Sequence, residues 1–238
     1  MYRLSVVIPA YNEERYLPAT LEAMRRAEAY AGEPIEIIVS DNLSTDQTAR
    51  VARSYGARVV QVPTKSISAV RNGGAAAATG EYVAFCDADN LVSENLFAQI
   101  LKTMDSGRFV GGGVACVHME RLSLGTFLFN WLPLRMSRFV TGVSMVLFYA
   151  RRDTFARLGG FDESTKMAED LEFAKRLRAE GRKTGLKYSH LGGASVTVST
   201  RKYDEFGDFF LIRYPHKVAR AILGDQAVLD EFWYRPNR

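Results

Sequence analysis

The chain has 238 residues, of which 47% are hydrophobic and 24% are charged, and its formal net charge is +4. This composition is ordinary for a soluble globular protein, and a chain of this length can bury a substantial core. The mild positive charge suits an anionic substrate or an anionic membrane surface, and we expect no nucleic-acid partner.

The sequence lacks the segments that are typical of secreted or membrane-spanning proteins. The N-terminus begins with an apparent strand and has no basic region followed by an apolar one, so we expect no signal peptide. The apolar run that comes closest to a span, residues 139–150, is shorter than the roughly 18 to 20 residues that cross a bilayer. Cys86 and Cys116 lie in apolar runs and are expected to be free thiols. We therefore expect a cytoplasmic protein.

The first part of the chain alternates apolar runs with segments of helical spacing. Residues 3–9 form a continuous β-branched run, which is typical of a strand buried on both faces, and a helix follows to about residue 31. Further strands are predicted at 35–40, 57–62 and 81–86, with helices at 47–55 and 66–79 between them. This repeated order predicts a mostly parallel sheet covered by helices.

The second part of the chain continues with less regular elements. Helices are predicted at 93–104, 153–158 and 168–180, the last with Gly181 as its stop, and strands at 109–119, 143–150, 183–188 and 194–199. The leucine-rich and aromatic segment 122–139 fits either a core helix or an amphipathic helix at a membrane interface, and most apolar stripes are core. Residues 201–238 are basic and aromatic and are expected to form a small helical extension.

Polar side chains follow three of the predicted strands, at 11–13, 41–46 and 87–89. Because ligands gather at the carboxyl ends of strands in an open α/β sheet, these residues are expected to share one crevice. In extended backbone Asp87 and Asp89 project to the same side, and their hard oxygen ligands suit Mg²⁺ or Mn²⁺. Taken alone, the same residues also fit a turn after the strand.

Six motifs in order carry a resemblance to a known family. They are Val-Val-Ile-Pro-Ala-Tyr-Asn-Glu-Glu at 6–14, Val-Ser-Asp-Asn-Leu-Ser-Thr-Asp at 39–46, Arg-Asn-Gly at 71–73, the DXD motif Cys-Asp-Ala-Asp at 86–89, Gly-Gly-Phe-Asp-Glu at 159–163 and Ala-Glu-Asp at 168–170. Over about the first 200 residues the chain resembles the family 2 glycosyltransferases of GT-A fold. The resemblance implies a Rossmann-like α/β/α sandwich and inverting transfer of a sugar from a nucleotide-sugar to an acceptor hydroxyl.

The resemblance also implies a donor site. Pro9, Ala10 and Tyr11 would pack on the base, and Glu13 would reach the ribose or base. Asp41 would accept a hydrogen bond from the base imide, and Arg71 would meet the diphosphate or base. Asp87 would lie toward the ribose and the metal, Ala88 would also contact the nucleotide-sugar, and Asp89 would bind Mg²⁺ or Mn²⁺ more directly. The alternatives to these binding roles are that Asp41 only forms an Asx turn and that Arg71 is only a solvated charge on a helix.

The catalytic half carries the expected base. By resemblance, Asp170 takes the proton from the acceptor hydroxyl, because inversion in one step needs a base opposite the leaving group. The alternative is that Glu169 and Asp170 are only charges at a helix start. Glu169 and Gly142 are further expected contacts with the acceptor or the donor sugar. His190 is left open between a third metal ligand and a structural residue.

We expect one domain over 1–238, with a nucleotide-sugar-binding half at 1–117, an acceptor and base half at 118–200 and an extension at 201–238. The expected donor is a UDP-sugar. The basic and aromatic second half favours a lipid-linked or membrane-proximal acceptor, with the protein peripheral to the inner face of the membrane; a homodimer is left open. Three alternatives are a retaining transferase on a similar fold, a sugar-phosphate nucleotidyltransferase and a non-catalytic binding protein.

Overall fold

The computed structural model describes residues 2–132, 136, 141–144, 146–165, 168–209, 213, 214, 216 and 220. Much of the predicted segment 122–139 beyond residue 132, and most of the extension 201–238 beyond residue 209, lie outside these residues. The strands are β1 Leu4–Ala10, β2 Glu36–Asp41, β3 Arg58–Gln61, β4 Tyr82–Phe85, β5 Leu91–Val92, β6 Phe109–Met119, β7 Val146–Arg151 and β8 Lys187–Val198. The helices are α1 Leu17–Ala31, α2 Thr48–Ser54, α3 Ile67–Ala77, α4 Leu96–Asp105, α5 Leu124–Thr126 with a π-helical turn Phe127–Trp131 after it, α6 Arg152–Arg157, α7 Glu169–Thr184 and α8 Arg201–Phe206.

Within the described residues, the strands form one sheet in the order β3-β2-β1-β4-β7-β6-β8-β5. The pairs β1–β2, β2–β3, β1–β4 and β6–β8 are parallel, whereas β7 is antiparallel to β4 and β6, and β5 is antiparallel to β8. All residues of β1 and β4 are buried, which is why their sequences are continuous apolar runs. The predicted α/β architecture with a mostly parallel central sheet is confirmed.

Two apolar clusters cover the two faces of the sheet. Because side chains alternate along a strand, Leu4, Val6 and Ile8 of β1 join the cluster that contains α1 and α4, while Val7 joins the one that contains α7. The result is a three-layer arrangement of helix, sheet and helix. The helices cover the faces of the sheet and leave the ends of the strands open to form a site. None of the helices within the described residues combines the length and the apolarity that crossing a bilayer requires.

Two predictions about the late elements were wrong. The helix expected to stop at Gly181 continues to Thr184 and ends at Gly185, whose φ of 73° and N–H bond to the Gly181 carbonyl form the true cap. Gly181 instead permits close packing, since a Cβ there would lie 2.8 Å from the Leu186 carbonyl oxygen. The two strands expected at 183–188 and 194–199 are the single strand β8.

Helix α3 lies close against the sheet because its two central glycines have no side chain. A Cβ on Gly74 would lie 2.4 Å from Val7 Cγ1, and one on Gly73 would lie 2.4 Å from Val62 Cγ2. Real Cβ atoms do not approach carbon atoms so closely, so either side chain would force the helix outward. These glycines therefore fix the distance of Arg71, half a turn earlier, from the edge of the sheet.

We expect Gly74→Ala to lower the free energy of unfolding by up to about 2 kcal/mol. Overpacking costs roughly 1–3 kcal/mol, and the gain in helix propensity offsets about 1 kcal/mol of that cost. Chemical denaturation of the purified protein measures the change. In a Val7→Ala background the same substitution should cost less, because the nearest methyl group is gone. Equal costs in the two backgrounds would show that the Gly74 contact does not limit the approach of α3.

Candidate active site

A cavity of about 330 Å³ opens at the carboxyl edge of the sheet. Its walls come from the ends of β1, β2, β4 and β8, from the start of α3 and from the first turn of α7. Ten residues expected from the sequence line it: Pro9, Ala10, Tyr11, Glu13, Arg71, Asp87, Ala88, Asp89, Glu169 and Asp170. The crevice predicted from strand polarity is therefore present.

Arg71 joins the two halves of the cavity. Its Nη1 donates to Asp170 Oδ1 at 2.6 Å and to Glu169 Oε1 at 2.8 Å, and its Nη2 donates to Asp87 Oδ1 at 2.9 Å. The residue is only 6% exposed. Burial lowers the pKa of Arg71, but the three carboxylates raise it above its ordinary value. The side chain is a fixed cation, and the alternative of a solvated helix charge does not apply.

Two motifs hold this guanidinium in place. Asn72 donates from Nδ2 to the Phe161 carbonyl oxygen and accepts from the Phe161 N–H at Oδ1, both at 2.9 Å. Gly160 has a φ of 68°, and a Cβ there would lie 2.5 Å from Asn72 Oδ1. Arg71 lies over the Phe161 ring at 5.4 Å. The Gly-Gly-Phe motif thus fastens the loop before α7 to α3.

An aromatic cluster packs beneath the contact between α3 and the loop that precedes α7. Phe161 packs against Phe85 at the end of β4, against Phe155 of α6 and against Phe173 of α7, with ring centroids 4.8 to 5.7 Å apart. Such tilted and edge-on pairs add to the energy of apolar burial. The cluster therefore fixes the start of α7, which carries the expected base, relative to the strand that carries the carboxylates.

Asp170 has the properties of a proton acceptor near neutral pH. Burial raises the pKa of its carboxyl group, Arg71 lowers it, and the charges of Glu169 and Asp87 raise it again, so the pKa is about 7. Its place in the first turn of α7 favours the anion through the helix dipole, but this effect does not outweigh the others. General bases work best when their pKa lies near the operating pH.

A second arginine meets the carboxylates on the other side of the cavity. Arg201 donates from Nη1 and Nη2 to the two oxygens of Glu13 at 2.5 and 2.7 Å. Its Nε lies 2.9 Å from Asp89 Oδ2 in an ion pair, although the N–H is not aligned for a hydrogen bond. Its guanidinium carbon is 4.9 Å from the centroid of the Tyr16 ring. Arg201 therefore links the loop after β1 to the DXD motif.

Three residues considered in the sequence lie outside the cavity lining. Asp41 is buried at the end of β2, and its Oδ1 accepts from the Ser44 N–H at 3.2 Å, as the turn alternative predicts. Gly142 has a φ of 71° and lies against the Arg178 guanidinium. His190 Nδ1 is 3.0 Å from Ser144 Oγ. None of the three is among the residues that line the cavity.

The carboxylate oxygens of Asp87 and Asp89 suit a hard divalent ion that also takes ligands from a substrate. Within the described residues, no three of the His, Cys, Asp and Glu side chains come together as a ready metal cluster. Asp87 and Asp89 offer carboxylate oxygens on the cavity wall. Mg²⁺ typically uses one or two carboxylates together with phosphate oxygens and waters. Two carboxylates, with no third protein ligand clustered beside them among the described residues, match that pattern.

The motifs and their positions agree with a known family. The sequence model described as "Glycosyl transferase family 2" matches residues 5–145, which is more than half of the chain. This chain belongs to glycosyl transferase family 2. A relative named "Uncharacterized glycosyltransferase Rv0539", from Mycobacterium tuberculosis, is 32% identical over 183 residues, which are 75% of this chain and 80% of the relative. The chain is thus an enzyme of the transferase class.

Solved structures show the same fold as this family 2 glycosyltransferase. Staphylococcus aureus TarS 1-349, in complex with UDP-GlcNAc, matches with a TM-score of 0.65 at 21% identity, over 97% of this chain and 71% of that one. The mannosyltransferase PcManGT from Pyrobaculum calidifontis, in complex with GDP-Man and Mn²⁺, matches with a TM-score of 0.62 at 21% identity, over 96% and 70%. These likenesses confirm the predicted GT-A fold.

The sequence reasoning for this glycosyltransferase missed Arg201 as a member of the cavity. Strand β8 is parallel to β6, and β7 is antiparallel to both β6 and β4, so β8 ends at the same edge as β4. The rule that ligands gather at the carboxyl edge would have pointed to the residues after β8. Local sequence patterns do not determine where the late strands lie in the sheet, so they do not place Arg201 at this edge.

Proposed function

We propose that this enzyme is a metal-dependent, inverting glycosyltransferase that moves a sugar from a UDP-sugar to an acceptor hydroxyl. One observation carries the proposal: the guanidinium of Arg71 contacts both Asp87, the carboxylate expected near donor and metal, and Asp170, the expected base. A donor bound at Asp87 and an acceptor hydroxyl bound at Asp170 would thereby be kept within reach of each other, which a one-step displacement needs.

The charge of the cavity supports metal dependence. Its lining contains five carboxylates, at Glu13, Asp87, Asp89, Glu169 and Asp170, but only two guanidinium groups, at Arg71 and Arg201. Both guanidinium groups are already paired with those carboxylates. A diphosphate entering such a site adds further negative charge, so a divalent ion is required to offset the repulsion. That ion, held by Asp89 and Asp87, would stabilise the charge that develops on the leaving nucleotide diphosphate.

The other assignments follow from the walls of the cavity. Pro9, Ala10 and Tyr11 form a surface at the end of β1 on which the base would pack, and Asp41 at the end of β2 pairs with Ala10 in the sheet. Asp170 would accept the proton of the attacking hydroxyl, while Arg71, which also bonds Glu169, keeps the Asp170 carboxyl in position. We choose UDP as the nucleotide because TarS, whose fold is similar to that of this chain, was solved in complex with UDP-GlcNAc.

Thermal unfolding with a panel of nucleotide diphosphates tests the donor and the metal together. We expect UDP with Mn²⁺ to raise the melting temperature more than UDP alone, GDP or dTDP, because a ligand of the native state stabilises it by mass action. Asp89→Asn should lose the Mn²⁺-dependent part of the shift. Asp153→Asn is the matched control, since its side chain is 73% exposed on α6. Equal shifts in Asp89→Asn and wild type would exclude Asp89 as a metal ligand.

Asp170→Asn tests the base. We expect release of UDP from a UDP-sugar to slow by roughly 10²- to 10⁴-fold, the usual contribution of general-base catalysis, while UDP affinity stays near that of wild type. The wild-type rate should also fall as the pH drops below about 7, since the Asp170 pKa of about 7 makes its carboxyl take up a proton there. Near wild-type turnover by the variant would reject this role. The anomeric configuration of the product, read by NMR, distinguishes inversion from retention.

A membrane-proximal acceptor is supported by the surface beside the cavity. Leu122, Leu124 and Phe209 are 65%, 63% and 46% exposed. The backbone beside Leu124 lies against the backbone beside Phe209, because a Cβ on Gly125 would be 2.1 Å from the Asp208 carbonyl oxygen. Residues 121–138 include three arginines and no acidic residue, which suits an anionic bilayer, and Arg121 among them is paired with Asp204 and Asp208. We therefore propose that this surface meets anionic lipid and that the acceptor is presented there.

Flotation with anionic liposomes at low salt tests this surface. We expect wild type to co-migrate, and Leu122→Ser with Leu124→Ser to bind more than about ten-fold more weakly, since each buried leucine contributes roughly 1.5–3 kcal/mol. Tyr30→Ser is the control, because Tyr30 is also 63% exposed but lies on α1. Failure of the wild-type protein to co-migrate, or equal binding by the leucine variant, would overturn the proposal.

A further inference from the structure

Arg201 contacts Asp89 and Glu13 in two different ways. The Glu13 contact is bidentate and aligned, and it uses both Nη atoms at 2.5 and 2.7 Å. The Asp89 contact is an ion pair through Nε, at 2.9 Å and without hydrogen-bond alignment. Bidentate arginine–carboxylate pairs are among the strongest polar contacts in proteins. The Asp89 contact is therefore the weaker of the two, and it can be lost while the Glu13 contact remains.

A divalent ion on Asp89 needs the same carboxylate that Arg201 contacts. Asp89 and Arg201 are each 16% exposed in their side chains, so little water screens the two charges from each other. A metal ion and the guanidinium would repel each other across this short distance. The two cations thus compete for one carboxylate group.

The backbone around Arg201 is fixed independently of Asp89. Glu120 Oε2 accepts from Ser199 Oγ at 3.2 Å and from the Thr200 N–H at 3.4 Å. Arg121 donates from Nε to Asp204 Oδ1 in α8 at 2.9 Å. These contacts hold the start of α8 beside the cavity. The guanidinium of Arg201 is therefore presented to Asp89 by a supported segment and not by an isolated loop.

We propose that Arg201 acts as a positioning residue that occupies Asp89 in competition with the divalent ion, so that the ion binds tightly only together with the nucleotide diphosphate. Diphosphate oxygens add ligands to the ion and shift the competition in its favour, while Arg201 keeps its bidentate contact with Glu13. By linkage, the ion and the nucleotide strengthen each other's binding. This inference rests on the proposed metal role of Asp89.

Binding of Mn²⁺ alone, followed by electron paramagnetic resonance of the free ion, tests the competition. Arg201→Gln removes the competing charge, and we expect it to bind Mn²⁺ at least about ten-fold more tightly than wild type, equivalent to about 1.4 kcal/mol. Arg53→Gln is the matched control, because it removes the same charge from an exposed position on α2. An affinity of Arg201→Gln equal to or weaker than that of wild type would overturn the proposal.

A second arm adds saturating UDP to each protein. The ratio of Mn²⁺ affinities between Arg201→Gln and wild type should then fall towards one, since the diphosphate supplies the extra ligands. A ratio that stays unchanged would mean that Arg201 acts only through net charge, which contradicts the proposal. A purely structural role of Arg201 would not produce this dependence on UDP.

Arg201→Lys keeps the test decisive if Arg201→Gln fails to fold. A lysine retains the charge but cannot contact Glu13 in bidentate fashion and Asp89 at the same time. We expect Arg201→Lys to bind Mn²⁺ more tightly than wild type does, and an unchanged or weaker affinity would overturn the proposal. Loss of transfer activity alone would bear only on the proposed function. Absence of Mn²⁺ binding in every protein, with and without UDP, would overturn the metal role and this inference together.

Discussion

A single buried cation, Arg71, faces three carboxylates that come from different parts of the chain. Asp87 follows β4, whereas Glu169 and Asp170 begin α7, so the guanidinium connects the predicted donor half of the cavity with the predicted catalytic half. A buried charge needs partners, and removing one partner of such a pair is strongly destabilising. The folded protein therefore requires these carboxylates to stay close together, although like charges would otherwise separate them.

The consequence is that the carboxylates that give the site its negative charge are also needed for the stability of the fold. Both arginines of the cavity are engaged by carboxylates, so neither is a spare cation for an anionic substrate. Asp170 shows the local effect most clearly, because burial and its acidic neighbours bring its pKa to about 7 despite contact with Arg71. The same excess of negative charge contributes to the raised pKa of Asp170 and to the proposed need for a divalent ion.

The sequence predicted most of the first half of the fold, because there each strand is an uninterrupted apolar run and each crossover follows the parallel rule. It also predicted most residues of the cavity, since the polar residues lie directly after those strands. The second half was harder. Gly181 resembled a helix stop but is a packing contact, and Gly192 and Gly193 split the apolar pattern of β8 although the strand continues through them. Arg201 was missed because its place depends on sheet order, which local patterns do not contain.

The close approach of α3 to the sheet has a consequence for altering this enzyme. Gly73 and Gly74 rest on Val62 and Val7, so the height of the helix is set by backbone contact with the core. Moving α3 to change the donor preference would require repacking of Val7 and Val62 beneath the helix. The loop side chains after β1 and β8 carry no such constraint from the glycines. Selection for a new sugar or base is therefore expected to accumulate changes in those loops, while the glycine pair stays constant.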